Sequence, residues 1–296
     1  MSLVYRRVSG GADWVSSSLK TAAIACVSVT AWASQPPGLY PHIPPGADQI
    51  ATAVPDAASD PSVASACAGL PPQAALKSAL TAARHQTNGG FNLDMWATVV
   101  NRDGVVCAVA FTGADRGSQW PGSRVISAQK ANTANAFSLP HLSLSTANLF
   151  TAVQPGGSLF GLQHSNPVDT RVAYQGPAAD FGEPGDPMVG HRIGGVNVFG
   201  GGLALYSASH VLIGAIGVSG DSSCADHNIA WRARNALNLD HVPAGVSGDT
   251  SRPDNIVYDT TPQAGQQEGV STGGFGHPVC SASATTIAES LPPTRP

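Results

Sequence analysis

The sequence predicts an α+β fold in which two hairpins build an antiparallel sheet flanked by helices. Two pairs of β-rich runs, 95–101 with 105–112 and 203–207 with 211–218, are each joined by a short turn. Segments with helical spacing stand before, between and after these pairs. The order lacks the strand–helix–strand alternation that a doubly wound parallel sheet needs.

The first helix is predicted over 72–85, where Pro72 stands at the start and Ala75, Leu76, Leu80 and Ala83 keep roughly helical spacing. Asn88-Gly89-Gly90 stops it. Arg102-Asp103-Gly104 turns the first hairpin, and a polar segment over 113–122 leads into a helix over 123–137. A short helix is predicted over 144–153, ended by Pro155-Gly156-Gly157. The stretch 158–192 has no period and many Gly and Pro residues, and a loop of that length is usually functional or an interface element. Ala208-Ser209-His210 turns the second hairpin, and Ser219-Gly220-Asp221 leads into a helix over 223–237, with Ser222 or Ser223 able to cap it. The tail from Pro243 is turn-rich, with one strand expected over 255–258.

The start of the chain is expected to be a secretory signal over 1–33. Arg6, Arg7 and Lys20 supply positive charge, 21–33 is uncharged and largely apolar, and Ala31-Trp32-Ala33 is a cleavage site. That apolar run is too short to span a bilayer, which takes about 20 residues. The chain is therefore expected to be periplasmic or secreted, with no transmembrane segment. Residues 34–66 read as a Pro/Ala-rich arm, 67–242 as the α+β domain and 243–296 as an irregular tail. Cleavage after Ala33 removes Cys26 and leaves Cys67, Cys107, Cys224 and Cys280, an even set that reads as disulfides in an exported chain. Of the three pairings, Cys67–Cys107 with Cys224–Cys280 is favoured, since each would staple a terminal arm onto a core element.

Charged residues make up only 11% of the chain and the net charge is −4 without a basic run, which argues against nucleic acid and against an electrostatically held membrane surface. The glycine cluster 214–220 departs from the dinucleotide fingerprint and from the P-loop. Gly217-Val218-Ser219-Gly220 approaches a nucleophile elbow but is followed by Asp221 where glycine is required. Two readings remain. Ser219 and Gly220 form a turn whose backbone N–H groups suit a carboxylate, or a turn that needs glycine only for its backbone shape. Asp226 and His227 follow in the first turns of the helix; His227 is a candidate metal ligand or acid/base, and acids there are favoured by the helix dipole in any case. Arg116 and Arg124, with Trp120 between them, could clamp an anionic ligand or hold a structural loop. Lys130 is either a surface charge or a third anion contact, and His164 is a candidate ligand in the long loop.

Several of these segments together resemble the GlcG/HbpS family of haem-binding proteins. They are Ala74-Ala75-Leu76-Lys77, the hairpin from Met95 to Gly104, Ala128-Gln129-Lys130-Ala131-Asn132-Thr133-Ala134, Gly194-Gly195-Val196-Asn197-Val198, and Ile216-Gly217-Val218-Ser219-Gly220 followed by Asp226. The resemblance covers roughly 70–237. It implies a profilin-like sandwich of sheet and helices, assembly into homo-oligomers, and non-covalent binding of haem or a related ligand. In that frame the glycine turn or Arg116 and Arg124 would hold the propionates, and His227 or His164 would approach the iron. The chain departs from the family pattern in a longer central insertion over 140–192, and in Val196-Asn197-Val198 where compact members read Gly-Gly-x-Pro. Two other readings stay open: a haem-independent enzyme that anchors a small carboxylate on Arg124 with Asp226 and His227 as acid and base, and an oligomeric scaffold or sensor partner without a ligand site.

Overall fold

Both predicted hairpins form, and they meet along their first and last strands. The computed structural model describes residues 61–296. Strand β1 (Trp96–Asn101) pairs with β2 (Val106–Phe111), β3 (Gly202–Tyr206) pairs with β4 (Leu212–Ser219), and β1 pairs with β4, giving an antiparallel sheet of order β2-β1-β4-β3. The expected signal, and the part of the arm before residue 61, lie outside the described residues. The last residues of that arm are helical, α1 (Pro61–Ala66).

Strand side chains alternate between two cores, as the two-residue period of a β-strand requires. Ala97 and Val99 of β1, Leu203 and Leu205 of β3, and Ile216 and Val218 of β4 face helix α2 (Gln73–Arg84) and helix α6 (Ser223–Ala236). Leu76, Leu80 and Ala83 of α2 complete the predicted apolar stripe. Trp96 and Val100 of β1 and Ala215 of β4 face helix α3 (Ser123–Phe137), which buries Val125, Ala128, Ala131 and Ala134. The result is a sheet between two helical layers.

Helix α3 lies close against the sheet. Thr98, Gly217 and Gly202 stand side by side across three strands on its face. Thr98 Oγ1 is 2.8 Å from Ser127 Oγ, and a Cβ at Gly217 would meet Ser127 O at 1.9 Å and Ala131 N at 2.4 Å. One glycine of the cluster is thus explained by close approach of helix to strand.

Three expectations are corrected. The segment 144–153 makes two 3₁₀ turns, Thr146–Leu149 and Thr151–Val153, in place of one helix. Asn148 Oδ1 accepts from the backbone N–H of Ser145 at 3.0 Å, and its amide donates to Asn255 O at 3.0 Å, so side chains compete with the regular ladder. The segment 255–258 forms no ladder beyond one isolated bridge, Val257 to Gly276. Its backbone bonds go elsewhere: Asn255 N–H donates to Arg252 O at 3.1 Å and Ile256 N–H to His227 Nε2 at 3.1 Å. The tail instead makes a small hairpin, β5 (Thr260–Gln263) with β6 (Gln266–Ser271), and a helix α7 (Ala282–Glu289) capped by Ser281 Oγ, which accepts from Ala284 N–H. Short Ser/Thr-rich segments like these carry too little apolar period to be read in advance.

The long insertion is a folded cover over α3. It holds two single-turn helices, α4 (Leu162–Ser165) and α5 (Thr170–Ala173), and buries Ala173, Met188, Val189 and Ile193 in the α3 core. Cys67 is bonded to Cys107 and Cys224 to Cys280. Among the described residues no helix is long and apolar enough to cross a membrane.

Candidate functional site

At the end of β4, the starts of α3 and α6 line an open cleft of about 330 Å³. Its walls are apolar: Trp120 precedes α3, Ile126 comes from the second turn of α3, and Phe199 precedes β3. Trp120 and Phe199 are 53% and 49% exposed, so two flat faces stand open to solvent. Phe91, 71% exposed, meets Trp120 edge-on with ring centroids 6.5 Å apart. Asp221 holds the Phe91 loop in place by accepting the backbone N–H of Phe91 at 2.9 Å and of Leu93 at 3.2 Å.

The floor is a buried ion pair. Lys130, in the middle of α3, donates from Nζ to Asp226 Oδ2 at 2.7 Å and to Val218 O at 3.0 Å. Burial pushes the Asp226 carboxyl up to about 6, against the pull of Lys130, and burial lowers the lysine against the pull of Asp226. Both partners lean toward the neutral state because the protein around them solvates charge poorly. The surface or anion-binding roles expected of Lys130 give way to this internal pairing.

The glycine turn is filled by the chain itself. Asp226 Oδ1 accepts the backbone N–H of Asp221 at 2.8 Å, so the carboxylate at the turn belongs to the protein. Gly220 is required by close approach, since a Cβ there would meet Asp94 O at 2.4 Å and Met95 Sδ at 2.9 Å. Ser219 lines the cleft just before it.

Arg116 and Arg124 do not form a clamp. Arg124 is buried and donates to Asp186 through Nε at 2.8 Å and through Nη2, and to Ala173 O through Nη1 at 2.8 Å. The Phe181 ring lies 3.6 Å from its guanidinium carbon. This arginine fastens the insertion to α3. Arg116 is exposed in the 3₁₀ turn Arg116–Ser118, outside the cleft lining.

Neither expected histidine reaches the cleft walls. His164 is exposed on α4, in the insertion. His227 is fully buried, because one residue beyond Asp226 on a helix the side chain has rotated by about 100° toward the C-terminal tail. There its Nε2 lies 3.0 Å from Asn255 Oδ1, and burial pushes the imidazole down to about 4. Among the described residues, the acid, histidine and cysteine side chains close enough together to hold one ion are Cys224, His277 and Cys280. His227 is not in that group, and the two cysteines are spent in a disulfide.

Sequence reading passed over Phe91, Phe199, Ser223 as a reactive group, and His277. Ser223 Oγ lies 2.7 Å from His277 Nε2 across 54 residues of sequence, and no local motif signals such a contact. Cys280, three residues beyond His277, is the only pointer that this part of the tail returns to α6.

A flat-walled cleft over a lysine–aspartate floor is thus set in a sheet with helices on both faces. Among solved structures the chain is similar to PduOC, solved as its haem complex, with 25% identity and a TM-score of 0.39 over 56% of this chain and 91% of that one. It is similar to the Klebsiella pneumoniae protein ORFY at 25% identity and a TM-score of 0.37, over 56% of this chain and 90% of that one. It is also similar to a double mutant of Streptomyces reticuli HbpS at 17% identity and a TM-score of 0.36, over 56% and 83%. No curated protein matches. The family model described as haem degrading protein HbpS-like matches residues 72–235, a stretch that holds the four-stranded sheet, α2, α3, most of α6 and every wall of the cleft, and the chain belongs to this HbpS-like family.

Proposed function

We propose that this chain is an exported, homo-oligomeric protein that binds haem non-covalently in the cleft between α3 and α6. The observation that carries the reading is that two half-exposed aromatic side chains, Trp120 and Phe199, line one open cleft. Such faces suit a flat conjugated ring that keeps one edge in water. The description of the family as haem degrading supports the same ligand. The two disulfides suit an oxidising compartment outside the cytoplasm.

The walls fit the macrocycle better than they fit an imidazole-ligated iron, since no histidine lines them. Haem, when bound, supplies a redox-active iron. The chain supplies stacking surfaces, Ser219 and Ser223 in the lining, and the Lys130–Asp226 pair below. Arg124 is engaged by Asp186, so the reading in which it anchors a small carboxylate has lost its anchor.

Titration of the purified chain with haemin is expected to give a saturable Soret shift. The W120A/F199A variant is expected to bind on the order of 10- to 100-fold more weakly, from two lost stacking contacts of about 0.5–1.5 kcal/mol each. H164A is expected to bind as the unaltered chain does. Absence of a saturable shift would sink haem binding, and full affinity in W120A/F199A would sink the placement.

A further inference from the structure

Ser223 lines the same cleft and is hydrogen-bonded to His277, which is buried behind it, outside the lining. Ser223 opens α6 and lines the cleft, half-buried. Its Oγ accepts the backbone N–H of Gly200 at 2.6 Å and lies 2.7 Å from His277 Nε2. His277 Nδ1 lies 2.7 Å from the carbonyl oxygen of Pro278, which can only accept. That contact places the ring proton on Nδ1 and leaves Nε2 as the acceptor of the serine hydroxyl proton. The imidazole is buried, with Phe150 against it at 4.8 Å, so its orientation is set by packing as well as by the carbonyl. Nucleophile, base and orienting acceptor thus stand in the order that activates a serine, with a peptide carbonyl in the place of the acid.

We propose that Ser223 and His277 are the nucleophile and general base of an acyl-transfer site, taking small esters whose apolar or aromatic part rests on Trp120 and Phe199. In the first half-reaction Ser223 Oγ bonds to the ester carbonyl carbon and its proton passes to His277 Nε2. The ester C–O bond then breaks, and the imidazolium returns the proton to the departing alcohol. Water next attacks the acyl-serine and gives its proton to Nε2. The serine oxygen leaves with that proton, releasing a carboxylic acid and restoring the pair. Water is the only co-reactant. His277 comes from the C-terminal tail, outside the residues matched by the family model, and Ser223 is held to it by the Cys224–Cys280 bridge one residue along.

The test uses the haem-free, disulfide-intact full chain, so its outcome is separate from that of the haemin titration. An alkyl fluorophosphonate is expected to label one serine per chain, mapped by peptide mass spectrometry to Ser223. p-Nitrophenyl acetate is expected to release p-nitrophenolate above the buffer rate. S223A should abolish both, and H277Q should lower the rate on the order of 100-fold in protein whose circular dichroism remains native. If the folded, unaltered chain takes no label and releases no p-nitrophenolate above buffer, the proposal fails. Labelling at Ser219 or Ser222 instead, or hydrolysis retained in S223A, would overturn it equally.

Discussion

His227 and His277 are both buried, and burial pushes each imidazole from 6.5 down to about 4. A histidine that takes up its proton less readily when folded contributes stability that is full above about 6.5 and is lost as the pH falls through about 4. Asp226 works in the opposite sense: raised from 3.8 to about 6, it contributes stability that is full below 3.8 and is lost as the pH rises through about 6. Between pH 6.5 and 4 two histidines outweigh one carboxyl. Thermal melts are expected to show the midpoint falling steadily over that interval, with a shallower fall in H227Q or H277Q. A midpoint flat from pH 6.5 to 4 would contradict the assignment of these buried imidazoles. At this scale Ser219 and Asp226 were legible because they flank the glycine turn, and Trp120 because it stands in a polar segment between two arginines. His277 was not, because its partner Ser223 is distant in sequence and only the closed fold brings them together.

At the scale of elements, the irregular segments are tied to regular helices by a few buried ion pairs. Arg124 of α3 engages Asp186 of the insertion, and Arg234 of α6 engages Asp254 of the tail, with Nη1 2.6 Å from Oδ2 and Nη2 2.8 Å from Oδ1. In a chain that otherwise avoids charge, both arginines are spent on holding loops. This is why 158–192 shows no period: much of its order comes from such anchors and from backbone bonds rather than from one continuous apolar face. The regular elements were legible for the converse reason: the hairpin strands are β-rich runs joined by short turns, and α3 is bounded by a polar segment before it and Pro140 after it, all local signals. What periodicity could not show was how close α3 comes to β4. G217A forces a methyl group into Ser127 O and Ala131 N, which are backbone atoms and cannot rotate away. It is expected to destabilise the fold by at least the ~1–3 kcal/mol typical of overpacking, read as a lower midpoint in urea denaturation. A midpoint like that of the unaltered chain would show that helix and strand separate without cost.

At the scale of the molecule, the disulfides join the chain's outer segments to its core. Cys67–Cys107 ties the end of α1 to β2, and Cys224–Cys280 ties the tail to the start of α6. Each closes a loop of some tens of residues, which narrows the unfolded ensemble. The C224A/C280A variant is expected to lose about 2–4 kcal/mol of stability, measured by denaturant unfolding against the unaltered protein. An unchanged unfolding free energy would show that the tail stays packed without the bridge.

The fold class, the two hairpins and the extent of α3 were legible from sequence alone because β-rich runs, helical spacing and turn residues are local signals, and the family was legible in the order of several such segments over roughly 70–237. The tertiary structure alone decided that the glycine turn receives the chain's own Asp226, that Arg124 and His227 are occupied within the protein, that Phe199 and Ser223 line one cleft, and that His277 meets Ser223. Those facts depend on which residues meet after the sheet closes and the tail returns. A contact across many residues leaves no periodic trace along the chain.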